Sequence, residues 1–235
     1  MSLLTICQAV AREVSLLVPA TIIDNDDPTA TRLLSMAHRS GQKLSQRDWK
    51  VLTKEHTFTS SSSTANYALP SDYNRMVQET AWSRTDYLRA RQLDPQDWQR
   101  FKSGLGTAIG TAQRWRIVPV SGVRKFSIDN PGTGGKALVF EYVTDNWCMT
   151  SGSVGLTDWT NDTDVPVIDA ALLELDMIWR TLRASGRSYA GERQDAMDAI
   201  EKGFAEDMPP RILNLGASRH RAFVGGANIP DSGFG

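Results

Sequence analysis

The stretch Ile168-Asp169-Ala170-Ala171-Leu172-Leu173-Glu174-Leu175-Asp176-Met177-Ile178-Trp179-Arg180-Thr181-Leu182 decides how the chain is read. Ile168, Leu172, Leu175, Ile178, Trp179 and Leu182 recur at three- and four-residue intervals, which places them on one helical face, and Gly186 supplies a C-terminal stop. A second helix is expected from Tyr189 to Glu206, with Ala196, Ala199, Ile200 and Phe204 inward and Pro209-Pro210 as its end. The same period appears at the start of the chain. From Ser2 to Val18 it runs through Leu3, Cys7, Val10, Ala11, Val14 and Leu17, and Pro19 ends it. Asp27-Pro28 opens another helix, because aspartate caps free N–H groups and proline suits the first helical position; Ala30, Leu33, Leu34 and Ala37 form its stripe, and Gly41 reads as its stop.

Between these pairs, from about Trp49, short threonine- and aromatic-rich runs alternate with serine, proline and glycine. His56–Ser60 and Ala65–Leu69 read as a hairpin across the Ser61–Ser63 turn. Met76–Trp82, Arg114–Val118, Val123–Ile128, Lys136–Thr144 and Trp147–Met149 read as further strands, with one short helix at Pro95–Lys102 capped by Asp94. Neither helix pair covers its apolar stripe alone, so the expected fold is α+β: a four-helix bundle from residues 1–48 and 165–207, with a small β-sandwich or barrel inserted at 49–164. Residues 208–235 hold five of the 18 glycines and three of the ten prolines without periodicity, and read as an extended C-terminal arm.

The chain has 235 residues, 40% hydrophobic and 23% charged, which excludes wholesale disorder, collagen-like repeats and a coiled coil. Lys plus Arg total 26 against 27 Asp plus Glu, so nothing in the net charge of −1 attracts nucleic acid in general. The arm carries Arg211, Arg219 and Arg221 against Asp231 and is locally basic. Cys7 and Cys148 read as reduced thiols, and no signal peptide or membrane-spanning run is evident, so a soluble protein is expected.

Candidate chemistry is sparse. Asp158, Asn161, Asp162 and Asp164 gather oxygen ligands as a calcium loop does, but they lack the central glycine and closing glutamate and read better as a solvated loop beside a helix start. Gly104, Gly106 and Gly110 miss the dinucleotide spacing, and Asn130–Ala137 departs from the phosphate loop at both ends. His38, His56 and His220 are scattered, and no nucleophile elbow occurs. An enzyme is not expected, nor a metal or cofactor. Seven tryptophans suit either a core and subunit interface or an exposed row that stacks on sugars or bases. Trp82, Arg84, Trp115, Arg116 and Trp147 are the interface candidates, since interfaces favour tryptophan beside arginine; Trp179-Arg180 has the same character.

Several blocks carry a family likeness: Met1-Ser2-Leu3-Leu4 with Cys7, Asp26-Asp27-Pro28, Leu33-Leu34 with Ser40-Gly41, Arg47-Asp48-Trp49, Leu69-Pro70-Ser71-Asp72-Tyr73, Thr80 with Trp82 and Arg84, Phe140-Glu141-Tyr142-Val143, and Trp179-Arg180. They resemble head–tail adaptor (connector) proteins of tailed bacteriophages, in particular the tubular-tail-protein-A-like adaptors of short-tailed phages. The resemblance implies a structural virion protein assembled in the host bacterial cytoplasm. It implies a ring, usually of twelve copies, that joins the portal protein to the tail tube or nozzle and leaves a channel for DNA. It also implies an arm that clasps the portal. Within the arm, Phe223 and Phe234 suit apolar pockets, and Arg211, Arg219, His220 and Arg221 suit acidic rims. The rival expectation is a carbohydrate-binding or other tail-associated β module with exposed tryptophans.

Overall fold

The computed structural model describes residues 1–103, 113–129 and 134–207. In chain order the elements are α1 (Leu3–Glu13), α2 (Pro28–Leu44), a 3-10 turn (Lys50–Leu52), β1 (Thr53–Thr59), β2 (Asn66–Ala68), β3 (Tyr73–Met76), β4 (Trp82–Ser83), β5 (Leu88–Arg89), β6 (Arg91–Gln92) and α3 (Pro95–Lys102). There follow β7 (Arg114–Val120), β8 (Val123–Ile128), β9 (Ala137–Thr144), β10 (Cys148–Met149), β11 (Gly155–Leu156), β12 (Val165–Pro166), α4 (Ala170–Ala184) and α5 (Ala190–Asp207).

Side-chain caps start the helices. The Ser2 hydroxyl accepts from Thr5 N–H, Asp27 from Thr29 and Ala30, Asp94 from Asp97, and Asp169 from Ala171. Two ends differ from the sequence reading. Helix α1 stops at Glu13, well before Pro19, because Ser15 turns into the left-handed region at φ 55°. Helix α2 passes through Gly41 to Leu44; that glycine is no stop, for a Cβ there would lie only 2.1 Å from Trp147 Cζ3.

The chain divides into two compact units. The first comprises Met1–His56, Pro70–Gln78 and the stretch from Phe140 through α5. Within it α4 packs on α1, α2 and α5, and α1 packs on α2. Leu3, Ile6, Val10, Leu33, Leu52, Leu173 and Met177 are fully enclosed, each contributing about 1.5–3 kcal/mol by leaving water. Val143, Trp147, Cys148 and Trp159 join the same core, so this unit takes in residues beyond the expected 1–48 and 165–207. Its small sheet has the order β11-β10-β12, with Cys148 opposite both Leu156 and Pro166.

The second unit comprises Thr57–Leu69 and Glu79–Val139. Its main sheet is ordered β2-β8-β7-β6. Ser121 and Gly122, both at positive φ, make the two-residue turn that joins β7 to β8. The Ser61–Ser63 turn closes with a bridge between Ser61 and Thr64, but the strands beside it do not pair into the expected hairpin: β2 pairs with β8, setting Tyr67 opposite Phe126, while β1 lies beside β9. A further sheet has the order β1-β9-β4-β5, with β3 also on β9. The single strand expected at Met76–Trp82 is divided into β3 and β4, with Glu79 between them at φ 66°.

Candidate functional site

Six of the seven tryptophans are buried in the chain, each less than 9% exposed, and Trp82 is half-buried. Trp115 stacks on Phe126 with ring centroids 4.8 Å apart and donates its indole N–H to the Ala90 carbonyl at 3.1 Å. Trp147 meets Trp159 edge to face at 5.0 Å. Trp115 and Trp147, expected at a subunit or tail interface, are covered within the chain itself. Arg84 is exposed, and Trp82 and Arg116 are intermediate. No exposed row of tryptophans exists to stack on a glycan. Arg211, Arg219, His220, Arg221, Phe223 and Phe234 lie outside the described residues, as do Gly104, Gly106 and Gly110.

The aspartates of the 158–164 loop serve the chain itself. Asp162 accepts from Ile22 and Ile23 N–H at 2.8–3.2 Å, Asp164 accepts from Thr160 and Asn161 N–H at 2.7 and 2.8 Å, and Asp158 pairs with His38. The carboxylate that caps α4 is Asp169. Among the described residues no group of three or more His, Cys, Asp or Glu side chains could hold a metal ion, and no helix is long and apolar enough to cross a membrane. Cys7 and Cys148 are free and buried, and burial pushes both thiols up to about 12.

Asp72 is held by three side chains. It accepts from Lys54 Nζ at 2.7 Å and from the Tyr142 and Thr144 hydroxyls, each at 2.9 Å. Burial raises its carboxyl pKa, but these hydrogen bonds and the Lys54 charge outweigh burial and hold it below the ordinary value. Burial and the Asp72 hydrogen bond push the Tyr142 phenol up. A carboxyl depressed in the folded state contributes stability above its unfolded pKa, and loses it as pH falls through the folded value. Thermal melts from pH 7 to pH 3 should therefore show a fall in stability beginning near pH 4 that is shallower in Asp72→Asn. Parallel curves for the two proteins would refute this role.

Helices α2, α4 and α5 enclose a groove of about 300 Å3. Lys43 and Arg47 come from the end of α2 and just beyond it, Asp176, Trp179 and Arg180 from α4, and Arg193 from α5. At its floor the buried Asp176 accepts from Trp179 Nε1 at 2.8 Å and from Arg180 Nε at 2.6 Å. Arg180 and Arg193 lie over the Trp179 ring, 4.6 and 5.9 Å from its centroid. Arg47 lies over Phe204 at 5.6 Å. Among the described residues Lys43, Arg47 and Arg193 have no carboxylate partner. Four cations against one carboxylate suit an acidic segment. Of this groove the sequence showed the character of Trp179-Arg180. Lys43, Arg47 and Arg193 are brought to it by helix packing alone.

The arrangement has a structural character: covered tryptophans, aspartates tied to the backbone, inert thiols and a cationic groove. A search of curated proteins finds no match. The sequence pattern of the SU10 adaptor protein family matches residues 1–224, which take in every described element. The chain thus belongs to the SU10 adaptor protein family and is a structural adaptor protein of bacteriophage, associated with other head and tail proteins.

Proposed function

We propose that the protein is a ring-forming head–tail adaptor of a short-tailed phage, close in kind to the tubular-tail-protein-A-like adaptors. Twelve copies sit in the virion neck between the portal and the tail tube or nozzle, and DNA passes through them. A bundle of α1, α2, α4 and α5 forms the ring body, the β-rich unit faces the tail, and residues 208–235 clasp the portal. The observation that carries this reading is the family match, which runs past the helices and into the arm as far as residue 224. A net charge of −1 agrees with a channel that releases DNA, where a strongly basic wall would retard it.

The test compares the full chain with a truncation at residue 207, each mixed with purified portal and followed by native mass and electron microscopy. The full chain should form a dodecameric ring on the portal. Removing the arm should weaken binding about 1,000-fold, because two buried aromatic anchors cost ~2 kcal/mol each. Undiminished binding of the truncation would remove the arm from this role. A full chain that stays monomeric with portal would overturn the ring.

A further inference from the structure

We infer that the groove between α2, α4 and α5 receives the acidic loop Asp24–Asp27 of a neighbouring copy of this chain. The inference rests on the ring reading and names the contact that closes the ring. Asp24 and Asp26 are exposed, and among the described residues neither carboxylate has a cationic partner. The turn that presents them is built in advance. Asn25 Nδ2 donates to the Thr21 carbonyl at 2.8 Å, Asp27 N–H donates to Asn25 Oδ1 at 2.9 Å, and Asp27 caps α2. Little ordering is needed for the loop to dock.

Geometry selects a second copy as the occupant. The loop precedes the first turn of α2, while Lys43 and Arg47 stand at its other end, and a helix of 17 residues is about 25 Å long. A copy cannot fill its own groove with this loop, but loop and groove at opposite ends of α2 can meet head to tail from one subunit to the next. Such a heterologous contact closes a ring where the rotation between copies divides the circle, as the ring proposed above requires. Three unpaired cations facing two unpaired carboxylates supply the complementarity, and they also fix the register between copies. The arm of residues 208–235 is a poor occupant, since its three arginines against one aspartate repeat the sign of the groove.

The test is a charge exchange in the full-length chain, with purified portal present. Lys43→Glu with Arg193→Glu changes two exposed groove residues. Asp24→Asn with Asp26→Lys changes the loop, asparagine being chosen because Asp24 sits at φ 56°. Native mass spectrometry reads assembly, and circular dichroism with thermal melting verifies that each variant is folded. Each double variant alone should need at least tenfold more protein to form rings than the wild type. An equimolar mixture should recover wild-type assembly, because each loop then meets a groove of opposite sign. Rings formed normally by either double variant, or a mixture that fails to recover, would overturn this contact while leaving the ring intact. Normal assembly of the groove variant with loss of retained DNA would instead make the groove a polyanion site. A wild-type chain that forms no ring would overturn the ring reading and this contact together.

Discussion

Asp176→Ala is expected to lower stability by about 3–5 kcal/mol, because it strands the half-buried Arg180 guanidinium and leaves the buried Trp179 N–H without an acceptor. For a body of this size that corresponds to a fall of about 10 °C in Tm. Asp176→Asn should cost less, since its amide oxygen still accepts from the indole. Replacing both partners by apolar residues, Asp176→Leu with Arg180→Met, should also cost less than alanine alone, because no unpaired charge remains. Thermal melts of the four proteins test this. An alanine variant that melts within about 2 °C of wild type would show that Arg180 escapes to water and that the pair is dispensable.

The second large effect lies where α2 meets Trp147. Trp147→Ala should cost about 3–5 kcal/mol through lost burial and the cavity left behind. Gly41→Ala should cost about 1–3 kcal/mol, since its Cβ collides with the Trp147 ring and α2 must shift or the ring must turn. The two losses should not add. In the Trp147→Ala background the new Cβ enters space that the ring has vacated, and alanine is also the better helix former. Denaturant titration of both single variants and the double variant measures the coupling. Strict additivity would place ring and glycine out of contact.

How far the sequence could be read depends on how local each determinant is. Asp27-Pro28 and Asp94-Pro95 announce helix starts because cap and first turn are adjacent, and α2 and α3 begin there. Val123–Ile128 was legible because a two-residue turn precedes it. Gly41 was misread because its reason is a ring more than one hundred residues away, which no local rule detects. The serine turn is there, closed by the Ser61–Thr64 bridge, but the strands beside it were misassigned, because the pairing of β2 with β8 depends on a distant partner. Within the groove, Trp179-Arg180 stood out by composition, while Asp176 had no role that the sequence showed. Lys43, Arg47 and Arg193 looked like ordinary surface charge until α2, α4 and α5 brought them together.

The tie between the two ends of the helical unit has a consequence for how the protein is made. Leu3 N–H donates to the Asp164 carbonyl at 2.8 Å and Leu4 N–H to that of Asp162 at 3.1 Å, while the Asp162 side chain holds Ile22 and Ile23, 140 and 139 residues away. The first two helices thus emerge from the ribosome long before the residues that hold them and the helix that covers them. At about 5–20 residues per second the apolar faces of Leu3, Ile6, Val10 and Leu33 wait for on the order of 10–30 s. During that interval the nascent chain is at its most adhesive, so yield in the infected cell is set as much by what shields those faces as by the stability of the finished subunit.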